Sequence, residues 1–262
     1  MYTLITGASS GIGKALALEC ANRGMNILLI ALPGNELSAL ENHIQSACKV
    51  KCHSLAIDLS EHCSSTGVYN WVKENNYQVN ILINNVGIGS KGAFEKGSID
   101  FYYKQINLNV VTACMLTRLL IDELRANSPS HILNVGSMGG FFFLPDKTLY
   151  SATKAFIYSF SRSLRIELKS SGINVSVLCP GGTDSNENTI AINKDVKGLA
   201  KTSILQPETV AKEGIDKMLK RHSLIIPGKL NKFYYHLSKV VPEPVKNFFI
   251  GRAFKKLQEH KY

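Results

Sequence analysis

The sequence has 262 residues, which is enough for one large α/β domain and does not require a second. Its 45% hydrophobic and 19% charged residues are ordinary for a folded soluble protein, and no apolar run reaches the ~18 residues of a membrane-spanning helix. The net charge of +10 is concentrated in residues 229–262, which contain eight basic and two acidic side chains. Because the remainder is only mildly basic, we expect no nucleic-acid partner.

The six cysteines follow no disulfide-framework spacing, a pattern that is typical of a reducing compartment. A strand-like apolar run already begins at Tyr2, which leaves no room for a signal or transit peptide and predicts a cytoplasmic protein. The cysteines and histidines between residues 48 and 63 do not have the spacing of a structural zinc site. We therefore predict no metal.

Strand-like and helix-like segments alternate along the chain. The predicted strands are near-continuous apolar runs at 2–6, 26–32, 52–57, 79–85, 131–137, 173–182 (including a turn) and 223–227. Segments of helical periodicity lie at 11–23, 36–47, 61–75, 98–126, 148–171 and from 207 onward. This order predicts an α/β fold, a doubly wound parallel sheet (Rossmann-like) of about seven strands with helices on both faces, in a single domain. We assign residues 1–228 to that domain and 229–262 to a basic amphipathic helical extension.

Glycines follow the first predicted strand and open the first helix, at Gly7, Gly11 and Gly13. The free N–H groups and the positive end of a helix favour an anion there, and glycine lets a pyrophosphate approach the backbone. The GxxxGxG spacing differs from the more familiar GxGxxG, so an ordinary loop with a helix-ending glycine is the alternative. The turn predicts a dinucleotide site at the carboxyl edge of the sheet.

A second pattern joins three polar side chains beyond later strands. Ser137 ends one predicted strand, and Tyr150 and Lys154 follow thirteen and seventeen positions later. The tyrosine and lysine are spaced i, i+4 on a helix and therefore share a face. Two other Tyr-x-x-x-Lys matches, at 69–73 and 235–239, do not follow a strand that ends in serine, and we interpret both as solvated helix faces.

In motif order, the chain resembles the short-chain dehydrogenase/reductase family of the compact single-domain kind. The residues that carry the resemblance are TGASSGIG (6–13), Asp58, NNVG (84–87), Asn107 in INLNV, Ser137 in LNVGS, YSATK (150–154) and PGGT (180–183). The family resemblance implies an NAD(P)-dependent oxidoreductase that acts on a ketone or secondary alcohol. A nucleotide-sensing protein and a membrane-associated binding protein on the same fold are the alternatives.

The resemblance also implies which residues act. It gives a catalytic set of Asn107, Ser137, Tyr150 and Lys154, with Asn109 as the alternative asparagine. It gives a cofactor-binding set of Gly7, Ser9, Ser10, Gly11, Ile12, Gly13, Leu32, Asp58, Leu59, Asn85, Val86, Gly87, Tyr150, Lys154, Pro180, Gly181 and Thr183. In this set Asp58 would bind the adenine amine and Thr183 would lie near the carboxamide. The family pattern PGxVxT reads PGGTDS here, which leaves the counterpart of the family threonine open.

Each catalytic side chain has a physical role in carbonyl reduction. Tyr150 would donate a proton to the developing alkoxide, and burial alone would raise its pKa from the usual value near 10. An ammonium within ~4 Å supplies about 4 kcal/mol at an effective dielectric of 20, so we expect Lys154 to lower that pKa. Ser137 would donate a hydrogen bond to the carbonyl oxygen. Asn107 would bind a water that links Lys154 to solvent.

The second predicted strand ends in Leu32, which is neither the acid of NAD-preferring relatives nor the base of NADP-preferring ones. Lys14 and the basic balance favour NADP(H) slightly over NAD(H). Phe141 to Phe143 suggest an apolar substrate body, although core packing is an equal account of at least one of them. Residues 184–205 lack firm periodicity and predict a mobile substrate lid.

The C-terminal segment has apolar residues at helical spacing, Phe249, Ala253 and Leu257, among many lysines. A basic amphipathic helix of this kind is typical of contact with an anionic membrane surface. Packing on a neighbouring subunit, or covering the pocket with the lysines in water, is the alternative. We expect a homodimer or homotetramer.

Overall fold

The computed structural model describes residues 1–90, 92–185, 187–194 and 198–259. Within these ranges, seven parallel strands form one sheet in the order β3-β2-β1-β4-β5-β6-β7. They are β1 (Tyr2–Thr6), β2 (Asn26–Ala31), β3 (Cys52–Ala56), β4 (Val79–Asn84), β5 (Ser130–Val135), β6 (Ile173–Leu178) and β7 (Leu224–Ile225). The predicted doubly wound sheet is confirmed, and its strand order reverses between β1 and β4, where ligands bind in such folds.

Helices cover both faces of the sheet. In the described part of the chain they are α1 (Gly11–Asn22), α2 (Asn35–Ala47), α3 (Ser64–Glu74), α4 (Ile99–Ile106), α5 (Thr112–Ala126), α6 (Thr148–Glu167), α7 (Glu187–Lys194), α8 (Pro207–Leu219), α9 (Lys229–Val240) and α10 (Glu243–Glu259).

The strand period of two places apolar side chains on both faces of the sheet. Ile5 of β1 packs with α1, α2 and α8, whereas its neighbour Leu4 packs with α3, α5 and α6 on the other face. Both side chains are fully buried. The near-continuous apolar runs of the sequence therefore follow from burial of each strand on two sides.

The structure differs from the predicted elements in two places. The long helix expected over 98–126 is interrupted by a π-helical turn, Asn107–Val111, between α4 and α5. The segment 184–205, expected to be irregular, contains α7 and a 3-10 segment, Gly198–Ser203. That it moves as a lid stays a prediction.

The C-terminal segment forms α9 and α10. Asn231, in the first turn of α9, is buried and donates to the carbonyls of Ser203 and Pro227, both at 3.1 Å. The first turn of α9 is thereby packed onto the rest of the chain, while the division at residue 228 stays a prediction. Among the described helices, none is both long and apolar enough to cross a membrane.

Candidate active site

The Gly-rich turn between β1 and α1 is closed tightly over its own backbone. Gly7 and Gly11 have φ angles of +64° and +54°, which residues with a side chain rarely adopt. A Cβ on Gly13 would overlap the carbonyl oxygen of Gly7, and one on Gly7 would lie 2.9 Å from the Cα of Val86. The side chain of Ser10 makes no capping hydrogen bond to α1. The turn therefore presents uncapped helix N–H groups on a backbone that a pyrophosphate can approach, and the residues fit that group.

Asn85 and Thr6 brace this turn. The Asn85 side-chain amide donates to the carbonyls of Thr6 (2.9 Å) and Gly7 (3.1 Å). The Thr6 hydroxyl accepts from the backbone N–H groups of Asn85 (3.0 Å) and Val86 (3.1 Å). Asn85 was expected to border the adenosine. Its amide instead bonds the protein backbone and holds the turn in its conformation.

Asp58 follows β3 and is tied to its neighbours. One carboxylate oxygen accepts from the N–H (2.8 Å) and hydroxyl (2.7 Å) of Ser60, and the other lies 3.5 Å from the Lys104 ammonium. Burial would raise the pKa of this carboxyl, but these hydrogen bonds and the cation lower it below its usual value. The Leu59 side chain is buried in the core, so only its backbone is left to border a nucleotide.

Ser137, Tyr150 and Lys154 are brought together at the carboxyl end of β5. The Ser137 hydroxyl accepts from the Gly139 N–H at 3.0 Å, and its proximity lowers the pKa of the Tyr150 phenol against the larger, raising effect of burial. Lys154 is buried and donates to the Val135 carbonyl at 2.9 Å, with its nitrogen 5.9 Å from the centroid of the Tyr150 ring. A serine hydroxyl, a phenol and an ammonium therefore share one small volume.

The expected lowering of the Tyr150 pKa by Lys154 is wrong for this structure. Burial raises the pKa of the phenol, and the nearby Ser137 hydroxyl only partly opposes that rise. Burial also lowers the pKa of Lys154 to about 8. The ammonium is directed at a neutral carbonyl rather than at the phenol oxygen, so desolvation is the larger effect. As a result, Tyr150 is protonated at neutral pH, the form that a proton donor needs.

The asparagine beside Lys154 is Asn109, and the assignment of Asn107 is corrected. Asn107 donates to the Ser60 carbonyl at 3.2 Å, toward the Asp58 side of the site. Asn109 is buried, donates to the Ile88 carbonyl (3.0 Å) and the Thr153 hydroxyl (3.0 Å), and accepts from the Ile88 N–H (2.8 Å). A Cβ added to Gly87 would lie 2.8 Å from the Asn109 oxygen and 3.5 Å from the Lys154 nitrogen. The π-helical turn rotates the residues that follow it about the helix axis. The periodicity of the sequence does not reveal such a turn.

The segment after β6 lies across the Gly-rich turn. Thr183 is buried, pairs with Leu205 in an isolated bridge, and donates from its hydroxyl to the Gly181 carbonyl at 3.3 Å. Its place near a carboxamide stays a prediction. A Cβ on Gly11 would lie 2.7 Å from the Ser185 carbonyl oxygen. Counted from Pro180, the family pattern PGxVxT places its final threonine at position 185. This chain has Ser185 there, and our sequence analysis missed it.

Pro180 and Gly181 begin the same segment. The Pro180 carbonyl accepts from the Met138 N–H at 2.8 Å, which joins the ends of β5 and β6 beside Ser137. A Cβ on Gly181 would lie 2.6 Å from the Asn231 side-chain oxygen, so this glycine permits α9 to pack against the site. Cys179, which the sequence analysis did not single out, precedes Pro180 and is fully buried. Its sulfur would lie 2.9 Å from a Cβ added to Gly136.

The three phenylalanines have different environments. Phe141 packs against the rings of Tyr158 and Tyr235, with centroids 4.9 Å away in both cases, so it is a core residue. Phe143 is exposed. Near the reacting groups, a Cβ on Gly139 would lie 3.5 Å from both Leu144 and the Tyr150 ring. Leu144 and the Tyr150 ring therefore both border Gly139.

These groups, at the carboxyl edge of a doubly wound sheet, match a known class of protein. The family model described as short chain dehydrogenase matches residues 2–197. The chain belongs to the short-chain dehydrogenase family, which confirms the resemblance.

Particular relatives can also be named. The very-long-chain 3-oxoacyl-CoA reductase of Mus musculus is 36% identical over 185 residues, which cover 68% of this chain and 58% of that protein. The chain thus spans less than two thirds of the length of the vertebrate relatives it matches. A Sphingobium yanoikuyae short-chain dehydrogenase in complex with NADPH superposes with a TM-score of 0.79 at 26% identity, covering 93% of this chain and 97% of that chain.

A second solved structure is similar over most of the chain. It is the bulky-bulky ketone specific alcohol dehydrogenase from Comamonas testosteroni, with a TM-score of 0.75, 25% identity, and coverage of 92% of this chain and 95% of that chain.

Proposed function

We propose that the protein is an NAD(P)-dependent oxidoreductase that transfers a hydride between the nicotinamide and a ketone or secondary alcohol of an apolar substrate. The observation that carries this proposal is that Ser137 and the Tyr150 ring both border Gly139, beside the buried ammonium of Lys154. A nucleotide sensor on this fold has no need for such a proton-transfer group.

The residues of this chain supply proton transfer and charge stabilisation. The Ser137 hydroxyl donates to the substrate carbonyl oxygen and stabilises the negative charge that develops there. Tyr150, protonated at neutral pH because burial raises its pKa, donates its proton to that oxygen. In the oxidative direction, the phenolate accepts the proton from the alcohol.

Lys154, whose nitrogen lies 5.9 Å from the centroid of the Tyr150 ring, is the group that returns a proton to the phenol. Because burial lowers its pKa to about 8, the amine gains and loses a proton within the working pH range. The Asn109 amide is fully engaged with Ile88 and Thr153, so we assign its side chain to positioning rather than to proton transfer.

The cofactor would be bound by the Gly-rich turn, with its pyrophosphate at Gly7 to Ile12 and the N-terminus of α1. The nicotinamide supplies the hydride. A slight preference for NADP(H) is part of the proposal, supported by the exposed Lys14 and by the absence of an acid at Leu32. The NADPH complex of the Sphingobium relative is consistent with it.

An apolar substrate is supported by two observations. Leu144 lies beside Gly139, which the Tyr150 ring also borders. The relatives are named for a very-long-chain 3-oxoacyl-CoA and for bulky ketones.

The experiment is a ketone and aldehyde panel in which loss of the reduced cofactor is followed by absorbance, with Tyr150→Phe as the test variant. We expect turnover to fall at least 100-fold, in line with general acid catalysis, while NADPH still raises the melting temperature. Turnover near wild type in the variant contradicts the mechanism. Cofactor binding without turnover on any carbonyl by the wild type supports the sensor instead.

A cytoplasmic location and self-association also stay proposals. Three exposed apolar residues support a homodimer or homotetramer: Val111 at the end of the π-helical turn, Met115 on α5 and Phe156 on α6. Sedimentation velocity of the full chain tests it, and a monomer at micromolar concentration contradicts it.

A further inference from the structure

The C-terminal helices leave an apolar face uncovered. On α9, Phe233, Leu237 and Val240 are 58%, 42% and 76% exposed. At 100° per residue, these three positions project within an arc of about 60°. The opposite side of the same helix packs inward through Asn231 and Ser238, which are both buried. The outward face is therefore distinct from the face that covers the active site.

A second set of exposed apolar residues lies on α10. Val245 and Phe248 are 43% and 62% exposed, and Arg252 follows at the next turn on the same side of the helix. The Lys246 ammonium donates to the Ser238 carbonyl at 3.1 Å and ties the first turn of α10 to the last turn of α9. Phe249, Ala253 and Leu257, the residues predicted to form the apolar stripe, have side chains outside the described part of the structure.

Positive charge borders this face. Lys229 is exposed and lies one turn before Phe233, on the same side of α9. The Lys239 ammonium lies 5.4 Å from the centroid of the Tyr235 ring and 5.9 Å from that of Phe141, so it projects away from this face. Residues 229–262 have a net charge of +6.

We propose that the outward face of α9 and α10, defined by Phe233, Leu237, Val240, Val245 and Phe248, docks on an anionic lipid surface. Apolar side chains enter the boundary between headgroups and acyl chains, and the neighbouring basic residues meet lipid phosphates. The docking is peripheral.

A second copy of the chain fits this face less well. A two-fold contact brings the same patch of both copies together, so the basic borders, Lys229 and Arg252 among them, would face one another. An anionic membrane supplies both the apolar depth and the opposite charge. The charge complementarity therefore favours lipid as the occupant.

The test is co-sedimentation of the full chain with vesicles at low salt. Vesicles of phosphatidylcholine with about one third phosphatidylglycerol are compared with phosphatidylcholine alone, and the ionic strength is then raised past the point where the Debye length is about 10 Å. We expect binding to the anionic vesicles that falls with salt. Phe233→Ser combined with Leu237→Ser should weaken binding about tenfold, because two inserted side chains are lost.

Ile166→Ser is the matched control, because Ile166 is 76% exposed on α6, outside the proposed face, and this variant should bind as the wild type does. Retention of the NADPH-induced thermal shift checks that each variant is folded. If the apolar variant does not fold, Lys229→Gln with Arg252→Gln replaces it and should reduce the salt dependence. Absence of vesicle binding overturns the proposal, and so does unchanged binding by the variant in use. A change in oligomeric state without an effect on vesicle binding also overturns it, and identifies a second copy as the occupant. Turnover is not measured, so failure here is distinguishable from failure of the proposed enzymatic function.

Discussion

The Asn109 side-chain amide donates a hydrogen bond of 3.0 Å to the hydroxyl of Thr153, which in turn donates to the Tyr150 carbonyl at 2.7 Å. The π-helical turn is thereby connected to the helix that carries both the phenol and the ammonium. Asn109 also bonds both backbone groups of Ile88, in the segment after β4. One amide therefore fixes three parts of the chain around the site.

Substitutions at the two asparagines should have different effects. Asn109→Ala removes the three hydrogen bonds of a buried side chain, and we expect a loss of about 2–4 kcal/mol in the free energy of unfolding together with a more than tenfold lower kcat/KM. Asn107→Ala is the matched control and should stay within about twofold in kcat/KM, since its partner is the Ser60 carbonyl. Urea unfolding and steady-state kinetics measure both. Equal effects of the two variants contradict the assignment of Asn109.

The Gly-rich turn should not tolerate a side chain at Gly13. Because a Cβ there overlaps the Gly7 carbonyl, Gly13→Ala should destabilise the fold by about 1–3 kcal/mol and abolish the NADPH-induced rise in melting temperature. Gly89→Ala is the control, because a Cβ at Gly89 meets nothing within 4 Å. Thermal denaturation with and without NADPH reports both quantities. A normal cofactor shift in Gly13→Ala would show that this turn is not the pyrophosphate site.

Buried thiols should make the fold sensitive to alkali. Burial raises the pKa of Cys20, Cys52 and Cys179 to about 12 from 9. In the unfolded chain these thiols lose their protons near pH 9, so stability is full below that pH and falls as the pH rises toward 12. Lys154, whose pKa is lowered to about 8, acts in the opposite sense, because its burial penalty disappears as the pH rises from 8 to its ordinary value.

The variant that isolates one thiol is Cys20→Ala. Between pH 9 and 10.5, under reducing conditions, we expect it to lose about 1–2 kcal/mol less unfolding free energy than the wild type. Urea unfolding at each pH provides the measurement. Parallel pH profiles for the two proteins are the contrary result.

The neutral residue at the end of β2 offers a test of cofactor preference. Leu32 is exposed, and Leu32→Arg places a cation where NADP-preferring relatives have one. We expect about tenfold tighter NADPH binding and little change for NADH, because a guanidinium bonds a 2′-phosphate strongly. Titration with both nucleotides, with Ile99→Arg as an exposed control, measures it. An equal gain for both nucleotides would mean that position 32 does not contact the ribose.

The sequence alone determined the order of the elements, the parallel sheet and the family. Each strand is apolar on both faces because it is buried on both faces, so Leu4 and Ile5 can be recognised as core without knowledge of their partners. Gly7, Ser137, Tyr150 and Lys154 were found in the same way, because strand ends and an i, i+4 pair are local features.

Only the tertiary structure decided the environments of those residues. Asn107 and Asn109 are equivalent by composition and spacing, and a π-helical turn determines which of them lies beside Lys154. The Tyr150 pKa depends on how much water surrounds the phenol and on where the Lys154 ammonium is directed, and both depend on residues distant in the chain. The types of residues and their spacing can be read from the sequence, whereas burial and the distance between charges are set only when the chain has packed.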